Sequence, residues 1–558
     1  MEGFNIRSIF NYFVLCTYKI IGSLSVTFFL LTLLFTQGIA LSLFYLADYF
    51  YKNKAKSALF SLFFIMAYQT SFLGSINLID SILTPNIISW CFALISLNLI
   101  LRNKTVSGFA ILGLAAIFHT ITGLMCFSIY YFIHIFINIR KPIFTKSNLI
   151  YLIKPISFII IGAPALIQGL LISSRFTDQS LITHIVARFR HPWHCLPSSW
   201  DFSLFVATIL LVVLGLLFLR DNNFKQKSVF YVSYIICILY AITGYIFVEI
   251  IPISSFALFH MFRAVAFMFM VSYIIIFNEA YELWASAKSI PLKLFALLFI
   301  FSFATFVLRY LFILLALIFI FIKLKENNYI KINRGYFLFA GIAIAIILGG
   351  LLYFTFPTLL RYLTSQEKIS LIKSLLVPAF IIFFIYLLCS ALIIYPKNKK
   401  IIFLLIAILV IISFVDLKIS PLNARSDFEP EMKEICLFAQ ENTPINSIFL
   451  TPPDEEQWRL CLNRAIVVDF KTIPLDDRYM VEWYIRIINV TNNHFTLDDR
   501  TYGENQHLNE YYTTLNETQL QILKEKFHFS YAIFNKDKEL EFPLITKNRE
   551  YIVYNLTG

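Results

Sequence analysis

Long runs of Phe, Leu and Ile recur along most of the chain, and they restrict its fold more than any other feature. Apolar residues make up 59% of the 558 residues, and charged residues only 14%. An apolar run of about 20 residues has the length of a helix that crosses a bilayer. Since a soluble protein of this length is far less apolar, we expect a polytopic membrane protein.

Charged connectors divide the first 419 residues into candidate membrane spans. Several are shorter than the ~20 residues that a full crossing needs, so we expect an all-α bundle of about 12–14 spans. The candidate spans are Leu24–Ala47, Ser57–Leu73, Asn86–Leu101, Val106–Phe118, Gly123–Ile139, Tyr151–Ser173, Phe202–Leu219, Val229–Val248, Phe256–Phe277, Leu292–Leu308, Tyr310–Ile322, Gly335–Thr355, Leu371–Ile394 and Ile401–Ile419.

The charges divide the chain into two parts. Residues 1–419 contain 32 basic residues (Lys and Arg) and 12 acidic ones (Asp and Glu). Residues 420–558 contain 14 basic and 22 acidic residues. Every second connector of the first part is rich in Lys and Arg, which places those connectors in the cytoplasm. We therefore expect a transmembrane domain over residues 1–419 and an extracytoplasmic domain over residues 420–558. No contiguous basic face is indicated, so a nucleic-acid partner is not expected.

The second part has the pattern of a small α/β or α+β domain. Strand-like "AIVVDF" (465–470) and "YAIFN" (531–535) accompany helix-like "TQLQILKEKF" (518–527). Cys436 and Cys461 would lie in an oxidising compartment and are candidates for a disulfide, although spacing alone does not establish one. Its charges form either a solvated face or a functional motif, whose residues would be Arg459, Arg464, Asp469, Lys471, Glu482 and Arg486.

The loop "RFRHPWHCLPSSWD" (188–201) has the highest density of chemically active side chains in the chain. Arginine on the outer side of a membrane needs a reason, and its guanidinium matches the oxygens of a lipid phosphate. We expect an anion site formed by Arg188, Arg190, His191, His194 and Arg263. Alternatively, these arginines reach outer headgroups or pair with nearby carboxylates.

Two further interpretations of this loop stay open. His191, His194 and Cys195, with His184 as a further candidate ligand, would suit zinc, but Pro192 and Pro197 rule out the helical spacing that such sites usually use. We assign no metal ligands, and a divalent metal is left open as a cofactor. The third interpretation is a rigid interfacial loop whose two tryptophans lie at the headgroup level, Trp193 and Trp200.

Three residues are candidates for catalysis on the same outer side. Asp80 is the one carboxylate of its connector, "NLIDSILTP" (77–85). His119 lies at a tight turn between two short spans, and Asp201 ends the loop described above. The alternative for each is a structural role, such as capping a helix or pairing with a neighbouring charge. Asp178 is a weaker candidate of the same kind.

The chain resembles the GT-C superfamily of membrane glycosyltransferases, and within it an uncharacterised group of bacterial membrane proteins. The resemblance is carried by "GFAILGLAAIFHTITGL" (108–124), by "HMFRAVAF" (260–267) and by the tail from "EMKEICLFAQENTPINSIFLTPP" (431–453) to "FPLITKNREYIVYNL" (542–556). It is spread over most of the chain. The "RxRHPxH" motif of the loop and the "DFK" and "EW" motifs of the tail are specific to the uncharacterised group.

The resemblance implies a transferase in the bacterial cytoplasmic membrane that modifies envelope glycans. Its partners would be membrane lipid, a polyprenyl-phosphate-linked sugar donor and a glycan or lipid acceptor. The superfamily uses an acidic residue of the first external loop, but Glu2 is the one carboxylate before Leu24. Either a further span precedes this chain, or Asp80, Asp178 or Asp201 takes the role. A carrier of lipid-linked glycans and a non-catalytic assembly component are the alternatives.

Overall fold

The computed structural model describes residues 8–66, 73–74, 83–138, 151–173, 178–221, 224, 226–302, 309–326, 429–474, 477–494 and 507–557. The predicted spans Gly335–Thr355, Leu371–Ile394 and Ile401–Ile419 lie outside these residues, as does Asp80. The expected total of 12–14 spans therefore stays a prediction.

Within the described residues, the first part of the chain is helical. Its helices are α1 (Ser8–Ile21), α2 (Leu24–Tyr51), α3 (Lys54–Met66), α4 (Pro85–Leu101), α5 (Thr105–Phe118), α6 (Thr120–Asn138), α7 (Ile156–Ser173), α8 (Gln179–Thr183), α9 (Pro192–Cys195), α10 (Phe202–Asp221), α11 (Ser228–Tyr245), α12 (Ser254–Phe259), α13 (Ala264–Ser286), α14 (Ile290–Phe301) and α15 (Arg309–Glu326). Two π-helices, His184–Arg190 and Ile246–Ile250, and two 3₁₀ turns, Pro197–Ser199 and Met261–Arg263, lie between them.

Six of the described helical segments are long and apolar enough to cross a membrane, which indicates a membrane protein. These segments are Leu24–Tyr51, Thr120–Asn138, Tyr151–Gln168, Phe202–Arg220, Ser228–Ile250 and Ser254–Ser286. The helix α13 is buried along almost its whole length, and α4 is also largely buried. These two helices form the centre of the bundle, while α2, α10 and α11 keep exposed apolar faces of the kind that lipid covers.

The helix ends follow local sequence signals. Ser23 and Thr84 accept hydrogen bonds from the first turns of α2 and α4, and Pro85 begins α4 at a position where its missing N–H costs nothing. In the tail, Asn516 and Gln519 form a capping box. These caps satisfy backbone donors that the helix itself leaves unpaired.

The C-terminal domain is a five-stranded mixed sheet with helices on both faces. The strands are β1 (Ile448–Leu450), β2 (Ala465–Ile466), β3 (Tyr531–Asn535), β4 (Leu544–Lys547) and β5 (Tyr551–Asn555). Their order in the sheet is β2-β1-β3-β5-β4; β1 is parallel to β2 and β3, and β5 is antiparallel to β3 and β4. The helices are α16 (Pro430–Asn442), α17 (Gln457–Leu462), α18 (Asp477–Val490), α19 (Leu508–Thr513) and α20 (Glu517–Phe527).

Alternate residues of β3 and β5 enter two separate cores. Ile533 and Val553 pack with α16 and α17 on one face of the sheet. Phe534 and Ile552 pack with α18, α19 and α20 on the other. Because successive strand residues point to opposite faces, both strands are buried and largely apolar up to their last residues, Asn535 and Asn555. A disulfide between Cys436 and Cys461 joins α16 to α17, with a Cα–Cα distance of 5.5 Å.

Candidate functional site

The histidine-rich loop is mostly helical. The π-helix His184–Arg190 leads into α9, and the backbone N–H of His191 donates to the carbonyl of Val186 at 2.9 Å. Pro192 is the first residue of α9, a position where a helix tolerates proline because no intrahelical hydrogen bond needs its N–H. The expectation that the prolines exclude helical geometry here was therefore wrong. π-Helical turns are uncommon and often occur at functional sites.

Trp200 is part of the internal support of this loop. It is buried, and its indole N–H donates to the carbonyl of Pro192 at 3.1 Å. Its ring lies edge-on to the ring of Phe262, with a centroid distance of 4.7 Å. The ring of Trp200 therefore packs inside the protein, and the alternative that this loop lies at the headgroup level stays a prediction. Trp193, by contrast, is only half-buried and borders a cleft.

The C-terminal domain docks on the π-helix through aromatic side chains. The ring of Phe189 is fully buried and lies edge-on to Phe470, Trp483 and Tyr484, at centroid distances of 5.5, 6.0 and 4.9 Å. His184 Nε2 lies 3.2 Å from the hydroxyl of Tyr484. The loop and the C-terminal domain thus share one hydrophobic core.

A cleft of about 490 Å³ lies where the loop and the C-terminal domain meet. One wall is formed by the loop and contributes the guanidinium of Arg190, the indole of Trp193 and two histidine rings. The opposite wall is formed by the segments after β1 and β2. The lining residues are Arg190, His191, Trp193, His194, Asp454, Glu455, Glu456, Gln457, Phe470 and Lys471.

Arg190 is the central cation of this cleft. Its side chain is more than nine-tenths buried, lies over the ring of Phe470 at 4.8 Å and donates from Nη2 to the carbonyl of Lys471 at 3.1 Å. Its Nε–H has no hydrogen-bond partner among the described residues. Burial lowers the pKa of Arg190, and the nearby carboxylates of Glu456, Asp469 and Asp454 oppose that shift. The cleft therefore contains a cation with unused donor capacity.

His191 and His194 line the cleft as neutral rings. Burial and the charges of Arg190 and Arg263 lower the pKa of His191 to about 2. Burial also lowers the pKa of His194 to about 4, although its hydrogen bond to the carbonyl of Gly74, at 2.7 Å, acts in the opposite direction and raises the pKa. That bond requires the proton on Nδ1 of His194 and leaves Nε2 as an acceptor. His191 Nδ1 has no partner among the described residues.

Arg263 lies behind the histidines and is not among the residues that line the cleft. His260, at the turn before it, has the left-handed backbone conformation (φ 49°) and lies 3.3 Å from the sulfur of Cys195 through Nδ1. The rings of His191 and His260 are 5.2 Å apart. In the described part of the chain, no three His, Cys, Asp or Glu side chains are arranged to hold a metal ion.

Sequence reasoning missed the acidic wall of the cleft. Glu455 accepts hydrogen bonds from Trp458, Tyr551 and Asn509, and Glu456 pairs with the ammonium of Lys471. Asp454 donates from its backbone N–H to Asn509, while its carboxylate makes no hydrogen bond within the described residues. Burial and the charge of Glu456 raise its pKa, and Arg190 opposes the shift. Three consecutive carboxylates after Pro452-Pro453 were the available signal.

Of the predicted catalytic residues, His119 and Asp201 are described and neither lines this cleft, whereas Asp80 lies outside the described residues. Asp201 is exposed and accepts from the backbone N–H of Ser203 at 2.8 Å. The His119 ring accepts from the backbone N–H of Thr122 at 3.2 Å and so caps α6. Asp178 caps α8 through Leu181. Arg188 is half-buried and does not line the cleft.

The tail motif residues serve mainly to hold the cleft's outer wall. Buried Asp469 accepts from the backbone N–H of Thr472 and pairs with Arg459 at 3.4 Å. This places Phe470 and Lys471 against Arg190.

The remaining motif residues support the domain itself. Arg464 donates to the carbonyls of Gln440 and Thr443, each at 2.9 Å. Arg486 pairs with Glu482 and donates to the carbonyl of Val467 at 3.0 Å.

The fold and the cleft together define a helical membrane protein whose C-terminal domain, a sheet between helices, borders a polar cleft. Within that domain, residues 430–490 match the model of a domain of unknown function (DUF6798). This segment contains the whole acidic wall of the cleft as well as Phe470 and Lys471. No curated protein and no solved structure matches the chain.

Proposed function

We propose that this protein is a GT-C-like membrane transferase that moves a sugar from a polyprenyl-phosphate donor to an envelope glycan or lipid. The observation that carries the proposal is the position of a buried arginine opposite carboxylates in one cleft beside the membrane helices. Glycosyl transfer from a lipid phosphate needs a cation for the departing phosphate and a group that activates the acceptor.

The phosphate would bind at Arg190. Its guanidinium makes one hydrogen bond within the described residues, through Nη2, and its buried position strengthens a charge-assisted hydrogen bond to a ligand. His191 and His194 are neutral and would act as hydrogen-bond partners, while the charge of Arg263 supports the site from behind. Trp193 borders the same cleft and offers an apolar surface to a sugar ring or a prenyl chain.

We place the cleft on the outer side of the bacterial cytoplasmic membrane. The Lys- and Arg-rich connectors would face the cytoplasm, and the C-terminal domain, which carries an excess of carboxylates, would face outwards. The disulfide between Cys436 and Cys461 supports this placement, because structural disulfides persist in oxidising compartments.

The test measures release of polyprenyl phosphate, a product that does not depend on which sugar is transferred. Purified protein in nanodiscs is mixed with membranes from a strain lacking the gene, which supply donors and acceptors. We expect release with the wild-type protein, and a loss of about 10-fold or more with Arg190→Ala, because hydrogen bonds to charged groups contribute about 1.5–3 kcal/mol. Arg549→Ala, at an exposed arginine of the C-terminal domain that does not line the cleft, is the control.

Movement of lipid-linked glycan between leaflets without release of polyprenyl phosphate would favour a carrier. Absence of both activities would leave an assembly role for the C-terminal domain and would refute the transferase.

A further inference from the structure

We infer that Asp454, in the C-terminal domain, is the catalytic base that deprotonates the acceptor hydroxyl. The inference rests on the proposed transferase function and adds the residue that activates its acceptor. It differs from the expectation for the superfamily, in which the first external loop supplies the acidic residue.

Elimination among the three carboxylates of the cleft leads to Asp454. Both carboxylate oxygens of Glu455 already accept hydrogen bonds, from Trp458, Tyr551 and Asn509. Glu456 is held by Lys471. The carboxylate of Asp454 has no such partner in the described part of the protein, and its backbone is fixed by Asn509 at 3.1 Å. Asp454 is exposed, so its carboxylate is open to an acceptor that enters the cleft.

The opposite wall supplies the second, independent observation. Arg190 is more than nine-tenths buried and lines the same cleft, and its one hydrogen bond within the described residues uses Nη2 alone. A phosphate bound there and an acceptor hydroxyl at Asp454 would lie on two sides of one volume of about 490 Å³. An inverting transfer needs this arrangement, with the nucleophile and the leaving group on opposite sides of the sugar.

The step balances without any further reactant. The acceptor hydroxyl gives its proton to the Asp454 carboxylate, and its oxygen forms a bond to the anomeric carbon. The bond between that carbon and the phosphate oxygen breaks, and its electron pair stays on the phosphate, whose new negative charge Arg190 stabilises. The proton leaves Asp454 to water from the open side of the cleft.

The electrostatics suit this role. Burial and Glu456 raise the pKa of Asp454, which makes its carboxylate a stronger base. His191 and His194, with pKa values of about 2 and 4, are weaker bases than an unperturbed imidazole.

The experiment compares three variants in the polyprenyl phosphate release assay. Asp454→Asn should lower kcat/KM about 100-fold or more, the usual contribution of a general base, and Asp454→Glu should restore part of the activity. Asp537→Asn, at an exposed carboxylate of the same domain, should be unchanged. Binding of radiolabelled polyprenyl phosphate should stay intact in Asp454→Asn, which shows that the variant is folded.

The pH dependence adds a measurement that a purely structural role would not change. Activity should rise with pH as Asp454 loses its proton, and Glu456→Gln should move this rise to lower pH, because Glu456 raises the pKa of Asp454. Full activity of Asp454→Asn, alongside an active wild-type protein, would overturn the base alone. Absence of release by the wild-type protein would overturn the transferase and the base together.

Discussion

Arg190 and Lys471 are 281 positions apart in the chain, yet Nη2 of Arg190 donates to the backbone carbonyl of Lys471 at 3.1 Å. Through this bond the π-helix of the membrane part contacts the loop after β2. The bond uses the backbone of Lys471, so it depends on the shape of the Asp469-Phe470-Lys471 turn more than on the lysine side chain. The cleft therefore exists only while the two parts of the chain are docked.

Docking should depend on Phe189. Phe189→Ala removes a buried ring that contacts three aromatic residues of the C-terminal domain, and we expect a loss of about 3 kcal/mol or more. Hydrogen exchange over α18 should then become at least about 10-fold faster. Phe202→Ala removes a ring that is 79% exposed and serves as the control. Equal exchange rates in both variants would refute docking through the π-helix.

The fold of the C-terminal domain was predictable where sequence and local structure agree. The segment "YAIFN" forms β3 over Tyr531–Asn535, and the predicted helix corresponds to α20. In "AIVVDF", by contrast, only Ala465–Ile466 forms a strand. The chain leaves the sheet there because Phe470 N–H donates to the carbonyl of Pro453 and Asp469 binds Thr472. Those long-range and turn contacts have no signature in apolar periodicity.

Only half of the candidate site could be predicted. The loop Arg188–Asp201 attracted attention through its composition, and Arg190, His191 and His194 do line one cleft. The acidic wall could not be assigned to the same place, because nothing local in the sequence brings "PDEE" (453–456) to that loop. The sequence made Asp201 a candidate catalytic carboxylate. In the structure its carboxylate accepts a hydrogen bond from the backbone N–H of Ser203.

The location of the C-terminal domain should be measurable with reporter fusions. Alkaline phosphatase fused after Gly558 should be active, and a cytoplasmic reporter fused there should be inactive, because residues 420–558 lack the Lys and Arg excess. Fusions after Lys104, in a connector expected in the cytoplasm, should give the opposite result. Activity of the cytoplasmic reporter alone after Gly558 would place the cleft inside the cell and reject an extracytoplasmic transferase.

Stability should fall in mild acid. The unfolded chain protonates its histidines near the ordinary pKa of 6.5, whereas the folded protein keeps His194 neutral down to about pH 4 and His191 to about pH 2. The unfolded state therefore binds more protons below pH 6.5, and stability decreases as the pH falls, by up to about 1.4 kcal/mol per pH unit for each histidine.

Thermal unfolding in detergent between pH 4 and pH 7 measures this effect. His194→Gln should reduce the slope of the midpoint against pH, because a ring that the folded protein keeps neutral is removed. His528→Asn, at an exposed histidine of the C-terminal domain, should leave the slope unchanged. A midpoint that does not vary over this range would show that the two rings are not held neutral.

The last prediction concerns Gly74, whose carbonyl accepts the hydrogen bond from His194. Its backbone has a positive φ of 82°, and an added Cβ would lie 3.1 Å from both Cβ and the carbonyl oxygen of Phe262. Gly74→Ala should therefore cost about 1–3 kcal/mol, the range for a strained backbone conformation. Gly162→Ala is the control, because its Cβ would meet neighbours at 3.7 Å, an ordinary contact distance. We expect Gly74→Ala to lower the unfolding midpoint and the affinity for polyprenyl phosphate together, since His194 would lose the bond that orients its ring towards the cleft. A lower midpoint with unchanged affinity would limit Gly74 to a structural role and would separate His194 from the phosphate site.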